Sequence, residues 1–138
     1  MKLLTVAIPS YNSEGYMSHA IETLLSGGEE MEIIIVNDGS KDKTAQIADE
    51  YAAKYPTIIK AVHQENGGHG QAVNSGLKHA TGLYYKVVDS DDWVNEKALQ
   101  KLLSTIREQI EKEEYIDMYI SNYVYERVSE GKQRVVDY

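Results

Sequence analysis

Four short apolar runs, each followed by a stretch whose apolar residues recur at helical spacing, leave this 138-residue chain few folds to adopt. The runs fall at 3–8, 32–36, 58–62 and 84–88 and are mostly rich in Val, Ile or Tyr, as strands are. Ile33-Ile34-Ile35-Val36 lacks the polar alternation of a half-wet sheet, so this strand is expected to be buried on both faces, as parallel strands under helices are. Between the runs, Met17, Ala20, Ile21 and Leu24 follow i, i+3, i+4, i+7. Ile47, Ala48, Tyr51, Ala52 and Tyr55 make a second stripe, Ala72, Val73, Gly76, Leu77 and Ala80 a third, and Leu99, Leu102, Leu103, Ile106 and Ile110 a fourth. Ser13, Asp42 and Asn95 are expected as N-caps, with Gly27-Gly28 and Pro56 as stops. Alternating strands and helices imply right-handed crossovers and an α/β fold, a mostly parallel sheet flanked by helices.

Residues 1–138 read as a single domain, because no internal repeat or Pro-rich linker divides them. After Ile110 the pattern changes. Residues 118–128 read as one longer strand and 133–138 as the start of another, with no helix following, so the architecture is expected to be truncated on its C-terminal side. The N-terminal apolar run stops at Pro9, too short for a secretory segment or for the roughly 20 residues of a membrane helix. The chain is therefore expected to begin in a strand. Without cysteine it has no disulfide framework, thiolate zinc site or cysteine nucleophile. Its net charge of −8 argues against nucleic acid or an anionic membrane as the main partner. A small anionic ligand would then need a bound cation or backbone N–H groups to hold it.

In a sheet of this kind ligands sit beyond the carboxyl ends of the strands. Those ends are polar here: Pro9-Ser10-Tyr11-Asn12-Ser13-Glu14, Asn37-Asp38-Gly39-Ser40, Asn66-Gly67-Gly68-His69-Gly70 and Asp89-Ser90-Asp91-Asp92-Trp93. In an extended segment Asp89 and Asp91 project to one side and can reach one hard cation, whereas the alternative is a plain turn leading into a helix. Asp38 is either part of a strand-to-helix turn or an acceptor for a base or sugar. The glycines around His69 allow close backbone approach to a ligand, although the segment is neither G-x-G-x-x-G nor a P-loop. His69 itself reads as a loop or cap residue before it reads as a catalyst. Trp93 is expected to pack beneath its loop, Tyr11 sits where a planar base can stack, and Lys86 is expected to snorkel from the sheet rather than point at phosphate.

The order of these segments resembles the family 2 glycosyltransferases of the GT-A fold. The resemblance is carried by Val6-Ala7-Ile8-Pro9-Ser10-Tyr11-Asn12, Ile35-Val36-Asn37-Asp38-Gly39-Ser40-Lys41-Asp42, Asn66-Gly67-Gly68-His69-Gly70-Gln71-Ala72-Val73-Asn74 and Val88-Asp89-Ser90-Asp91-Asp92. It covers the N-terminal, donor-binding half of that family's domain and implies a Rossmann-like sheet. It also implies transfer of a sugar from a nucleotide-diphosphate donor, UDP-linked by preference, with inversion. By that resemblance Pro9, Tyr11, Glu14 and Asp38 line the site for base and ribose, and Gly68, Asn74 and Ser90 belong to the donor-binding set. Asp89-Ser90-Asp91 is similar to the DXD motif, with Asp91 the ligand of Mn2+ or Mg2+ and Asp89 nearer the ribose while also available to the metal.

The acceptor implied is a saccharide or a lipid-linked molecule, as in polysaccharide, cell-wall or teichoic-acid synthesis. The location implied is the cytoplasm, at the inner face of the membrane where a further region provides contact. Two departures stand out. Val73 occupies a position where many relatives carry Arg, and the family's general base lies downstream of the DXD segment, where Glu111, Glu113, Glu114 and Asp117 read as a solvated charge run. The catalytic base is thus unassigned, and this chain alone is expected to bind donor and metal but transfer sugar poorly or not at all. Two competing readings are a nucleotidyltransferase using the carboxylates to hold Mg2+, and a non-catalytic metal- or nucleotide-binding module.

Overall fold

The computed structural model describes residues 2–111 and 125–126. Four parallel strands, β1 (Leu4–Ser10), β2 (Met31–Asp38), β3 (Ile59–Gln64) and β4 (Tyr84–Val87), form one sheet in the order β3-β2-β1-β4. Helices α1 (Met17–Leu25), α2 (Thr44–Lys54) and α3 (His69–His79) make the crossovers, and α4 (Glu96–Glu111) follows a two-residue strand β5 (Trp93–Val94). β5 pairs antiparallel with β6 (Tyr125–Glu126). Of the longer strand expected at 118–128, only these two residues are described; 133–138 lie outside the described residues.

The strand order determines which face each helix covers. The chain steps from β1 to β2 to β3 in one direction and then jumps back past β1 to β4, so right-handed crossovers place α1 and α2 on one face and α3 on the other. The core follows the pleat. Leu4, Val6 and Ile8 of β1 and Met31, Ile33 and Ile35 of β2 pack with Met17, Ile21 and Leu24 of α1 and with Leu99, Leu102, Leu103 and Ile106 of α4. The alternate residues Ile34 and Val36 pack with Ala72 of α3. Gly76 lets α3 approach closely: a Cβ there would lie 2.7 Å from the Ala7 Cβ and from the Tyr85 hydroxyl.

Several local expectations need correction. β1 and β2 are buried throughout, but in β3, at the sheet's edge, only Ile59 is buried and the other residues are partly or fully exposed. Ser13 does not cap α1, which starts at Met17 after Tyr16 without a side-chain cap; the Ser13 carbonyl instead accepts the N–H groups of Tyr16 and Met17 in the preceding turn. Asp42 is not the N-cap of α2 either: Lys43 holds that position without a side-chain cap, and Asp42, one residue earlier, accepts the Thr44 N–H, whereas Asn95 caps α4 by accepting the Ala98 N–H at 2.9 Å. Lys86 does not snorkel: it is 1% exposed. Its register with Val6 turns it to the α1 and α4 side of the sheet, away from α3.

One buried charge was invisible in the strand pattern. Glu32, at the start of an apolar run, accepts hydrogen bonds from the Thr5 hydroxyl at 2.8 Å and from the Thr81 N–H at 2.7 Å and hydroxyl at 2.9 Å, and pairs with Lys60 at 2.8 Å. It ties together β1, β2, β3 and the connection from α3 to β4 at the end of the sheet opposite the polar rim.

Candidate functional site

β1 and β2 run further than their apolar cores suggested, so Pro9, Ser10, Asn37 and Asp38 belong to the strands themselves. Their carboxyl ends, with the N-terminus of α3, enclose a cavity of about 280 Å³ lined by Pro9, Ser10, Tyr11, Asp38, Asn66, Gly68, His69 and Ala72. Tyr11 stands half exposed at its rim, where a planar group can stack.

Asp38 is the hinge of this cavity. Its side chain is buried, and its oxygens accept the Gly67 N–H at 2.8 Å, the Gly68 N–H at 3.0 Å and the Gln64 amide at 2.9 Å, while its carbonyl accepts from Asn66. Burial pushes the carboxyl up, but the Gly67 N–H, Gln64, the Gly68 N–H and the nearby His69 outweigh it and hold Asp38 below the usual aspartate value. The carboxylate thus holds the glycine loop in place, in addition to facing the cavity. Gly68 has φ +93°, and Gly39, at φ +69°, lies so near Asn66 that a Cβ would stand 2.6 Å from its nitrogen; both positions demand glycine.

The loops after β1, β2 and β4 are fastened to one another. Asn12, at φ +48°, donates its N–H to the Ser40 hydroxyl and accepts from the Lys41 N–H. The Ser13 hydroxyl lies 2.7 Å from that of Ser90, and the Ser13 N–H donates to Thr44. Asp42 accepts the Glu14 N–H. Ser13 was expected as a helix cap; its hydroxyl is instead the pin between the first and fourth strand ends.

The acidic segment is not extended. The Asp92 N–H donates to the Asp89 carbonyl at 3.0 Å, closing a turn, and this turn rather than the pleat gathers the carboxylates. One oxygen from each of Asp89, Asp91 and Asp92 lies within 4.8 Å of the others; Asp91 is exposed, Asp89 partly buried and Asp92 buried. Asp92, outside the expected metal pair of Asp89 and Asp91, is the addition. Three oxygen donors of this kind suit a hard divalent cation such as Mg2+ or Mn2+, so the donor set fits the expected metal. Asp89 also meets His69, whose Nε2 lies 2.9 Å from Oδ1.

Of the expected donor-binding residues, Pro9, Tyr11, Asp38 and Gly68 line the cavity, and Asp89 and Ser90 are joined to it through His69 and Ser13. Glu14 and Asn74 are exposed and do not line it. Asn74 lies two residues, about 200° of helix, beyond the sheet-facing Ala72. Asn66 is a lining residue that the sequence does not single out, and His69, which reads there as a loop or cap residue, lines the cavity as well. The Gly-Gly pair just before the third helical stripe is the signal that marks the loop carrying both. Trp93 packs edge-on against the His19 ring, centroids 4.5 Å apart.

Comparison with known proteins bears on the same region. The model of Glycosyl transferase family 2 matches residues 5–129. The minor teichoic acid biosynthesis protein GgaB of Bacillus subtilis is 42% identical over 103 residues, covering 72% of this chain and 11% of GgaB. The crystal structure of Staphylococcus aureus TarS 1–349 in complex with UDP-GlcNAc superposes with a TM-score of 0.68 at 34% identity, over 80% of this chain and 32% of that one. A mannosyltransferase from Pyrobaculum calidifontis, solved with GDP-Man and Mn2+, shares the fold with a TM-score of 0.65 at 24% identity. The chain thus spans about a tenth of GgaB and about a third of the TarS fragment.

Proposed function

Since this chain belongs to glycosyl transferase family 2, we propose that it carries the donor site of an inverting transferase that moves a sugar from a nucleoside diphosphate to an acceptor hydroxyl. The observation that carries this reading is one juxtaposition: a cavity at the ends of β1 and β2, and a three-carboxylate turn after β4 linked to it by His69. In this reading Tyr11 stacks on the base, Pro9 and the backbone at Gly68 shape the wall, and Asp38 keeps the glycine loop open to ligand while facing base and ribose. Asp89 serves the ribose side of the donor as well as the metal. Glu14 and Asn74 are assigned to the outer rim, reached by a ligand larger than the cavity.

Asp89, Asp91 and Asp92 would hold Mn2+ or Mg2+. When bound, the ion supplies charge neutralisation for the departing diphosphate, which an acidic chain otherwise opposes. The protein's own part is to exclude water with the Tyr11 and Pro9 wall and to hold the acidic turn through Ser90 and His69. The general base remains unassigned: Glu111 ends α4, and Glu113, Glu114 and Asp117 lie outside the described residues. UDP is the favoured nucleotide, supported by the TarS complex with UDP-GlcNAc. A cell-wall polymer is the favoured acceptor, supported by the relation to GgaB.

Among the described residues no helix is long and apolar enough to cross a membrane. We place the activity at the cytoplasmic side, where nucleotide sugars are made. The test is thermal unfolding with UDP, GDP, ADP and CDP, each with and without Mn2+. A ligand at a hundredfold excess over Kd stabilises the native state by about 2.7 kcal/mol. Stabilisation by UDP that Mn2+ increases supports the reading, and the absence of any nucleotide effect refutes it.

A further inference from the structure

On the reading of the cavity as a nucleotide-sugar pocket, we propose that His69 is the positioning residue that couples this pocket to the acidic turn by holding Asp89 for the metal. His69 is the first residue of α3 and lines the cavity. Its backbone is anchored on the β2 side, because Asp38 holds the Gly67 and Gly68 N–H groups and the φ of +93° at Gly68 sets the direction in which the chain enters the helix. Its ring reaches across to the loop after β4, on the far side of β1, where Nε2 meets Asp89 Oδ1 at 2.9 Å. A carboxylate only accepts, so the hydrogen is on Nε2 and His69 donates.

The contact has a purpose that packing does not supply. The His69 side chain is 57% exposed, so it fills no core, whereas Asp89 is 19% exposed and shares its turn with two further carboxylates within 4.8 Å. Like charges so close push each other apart, and the imidazole N–H draws one Asp89 oxygen toward the pocket, fixing the carboxylate's rotation. A partner that orients a metal-binding carboxylate in this way typically changes metal affinity by about 10- to 100-fold.

The test uses the 138-residue chain as wild type, His69→Ala and His69→Gln. It measures apo melting, UDP binding in EDTA, and Mn2+ binding at saturating UDP by calorimetry. The expected result is that His69→Ala weakens Mn2+ binding at saturating UDP by about 10-fold or more, with apo melting unchanged and a clearly smaller loss of UDP affinity in EDTA. His69→Gln, whose side-chain amide can donate to the same oxygen, recovers most of the loss. Equal Mn2+ affinity in wild type and His69→Ala overturns the proposal. So does a matching loss of UDP affinity in EDTA, which would make His69 a direct nucleotide contact. Failure of the wild type to bind UDP with Mn2+ overturns the donor-site reading itself, a result distinct from either.

Discussion

Replacing Glu32 with Gln removes one negative charge from the sheet while keeping nearly the same volume, and the consequence can be worked from the contacts. Burial alone raises the carboxyl pKa; the Lys60 ammonium, the Thr81 N–H and the Thr5 and Thr81 hydroxyls outweigh it and lower it from 4.5 to about 2. A depression of this size corresponds to about 3 kcal/mol of stability at neutral pH, at 1.36 kcal/mol per unit. Lys60 is half exposed and screened, so most of this belongs to the buried hydrogen bonds to the carboxylate rather than to the ion pair. The sign follows from the depression: the stabilisation is fully present above pH 4.5 and is lost as pH falls through about 2. Urea unfolding of both proteins should give a difference of about 3 kcal/mol near pH 7 that shrinks to about 1.5 kcal/mol near pH 3. The comparison isolates Glu32, because Asp38 and Asp42, also held below their usual values, titrate in both proteins. A difference that stays constant with pH would show that the lost stability is shape rather than charge and would refute the argument.

Asp91→Ala should leave apo stability within about 0.5 kcal/mol or raise it slightly, since the residue is exposed and relieves like-charge repulsion, while abolishing the Mn2+-dependent part of UDP stabilisation. Asp38→Asn should cost about 1–3 kcal/mol in chemical denaturation, because its amide cannot accept both glycine N–H groups, and should weaken UDP binding measured in EDTA as the loop shifts. Gly76→Ala should destabilise by about 1–3 kcal/mol in the same assay, since the new methyl meets Ala7 and Tyr85 and must push α3 off the sheet; unchanged stability there would mean that α3 packs more loosely than described.

What the amino-acid order determined by itself is whatever depends on local periodicity. The continuous run at 33–36 could only be a covered strand, and the stripes through Ile21, Ala72 and Leu103 placed their helices, because burial on one face repeats every two or 3.6 residues regardless of what lies opposite. The βαβ order then dictated that Pro9, Asp38, Gly68 and Asp89 gather at one end of the sheet. Asn95 as a cap was legible for the same reason: its partner is three residues away.

Tertiary structure decided every contact whose partner is set by register or by a turn. Ser13 meets Ser90 across 77 residues, and Thr5 and Glu32 meet because neighbouring parallel strands bring the same face together. Lys86 is buried because its register with Val6 turns it into the α1 and α4 side, where an isolated strand pattern predicts only that a lysine reaches for water. Asp38 faces two backbone N–H groups as well as the cavity because the β3–α3 loop folds back over it, and Asp89 meets His69 because parallel β4 returns the chain to the end of the sheet at which α3 starts. Periodicity encodes how much of a residue is covered, but not by what. The donors and acceptors that fix a buried charge come from segments that only the assembled sheet brings within 3 Å.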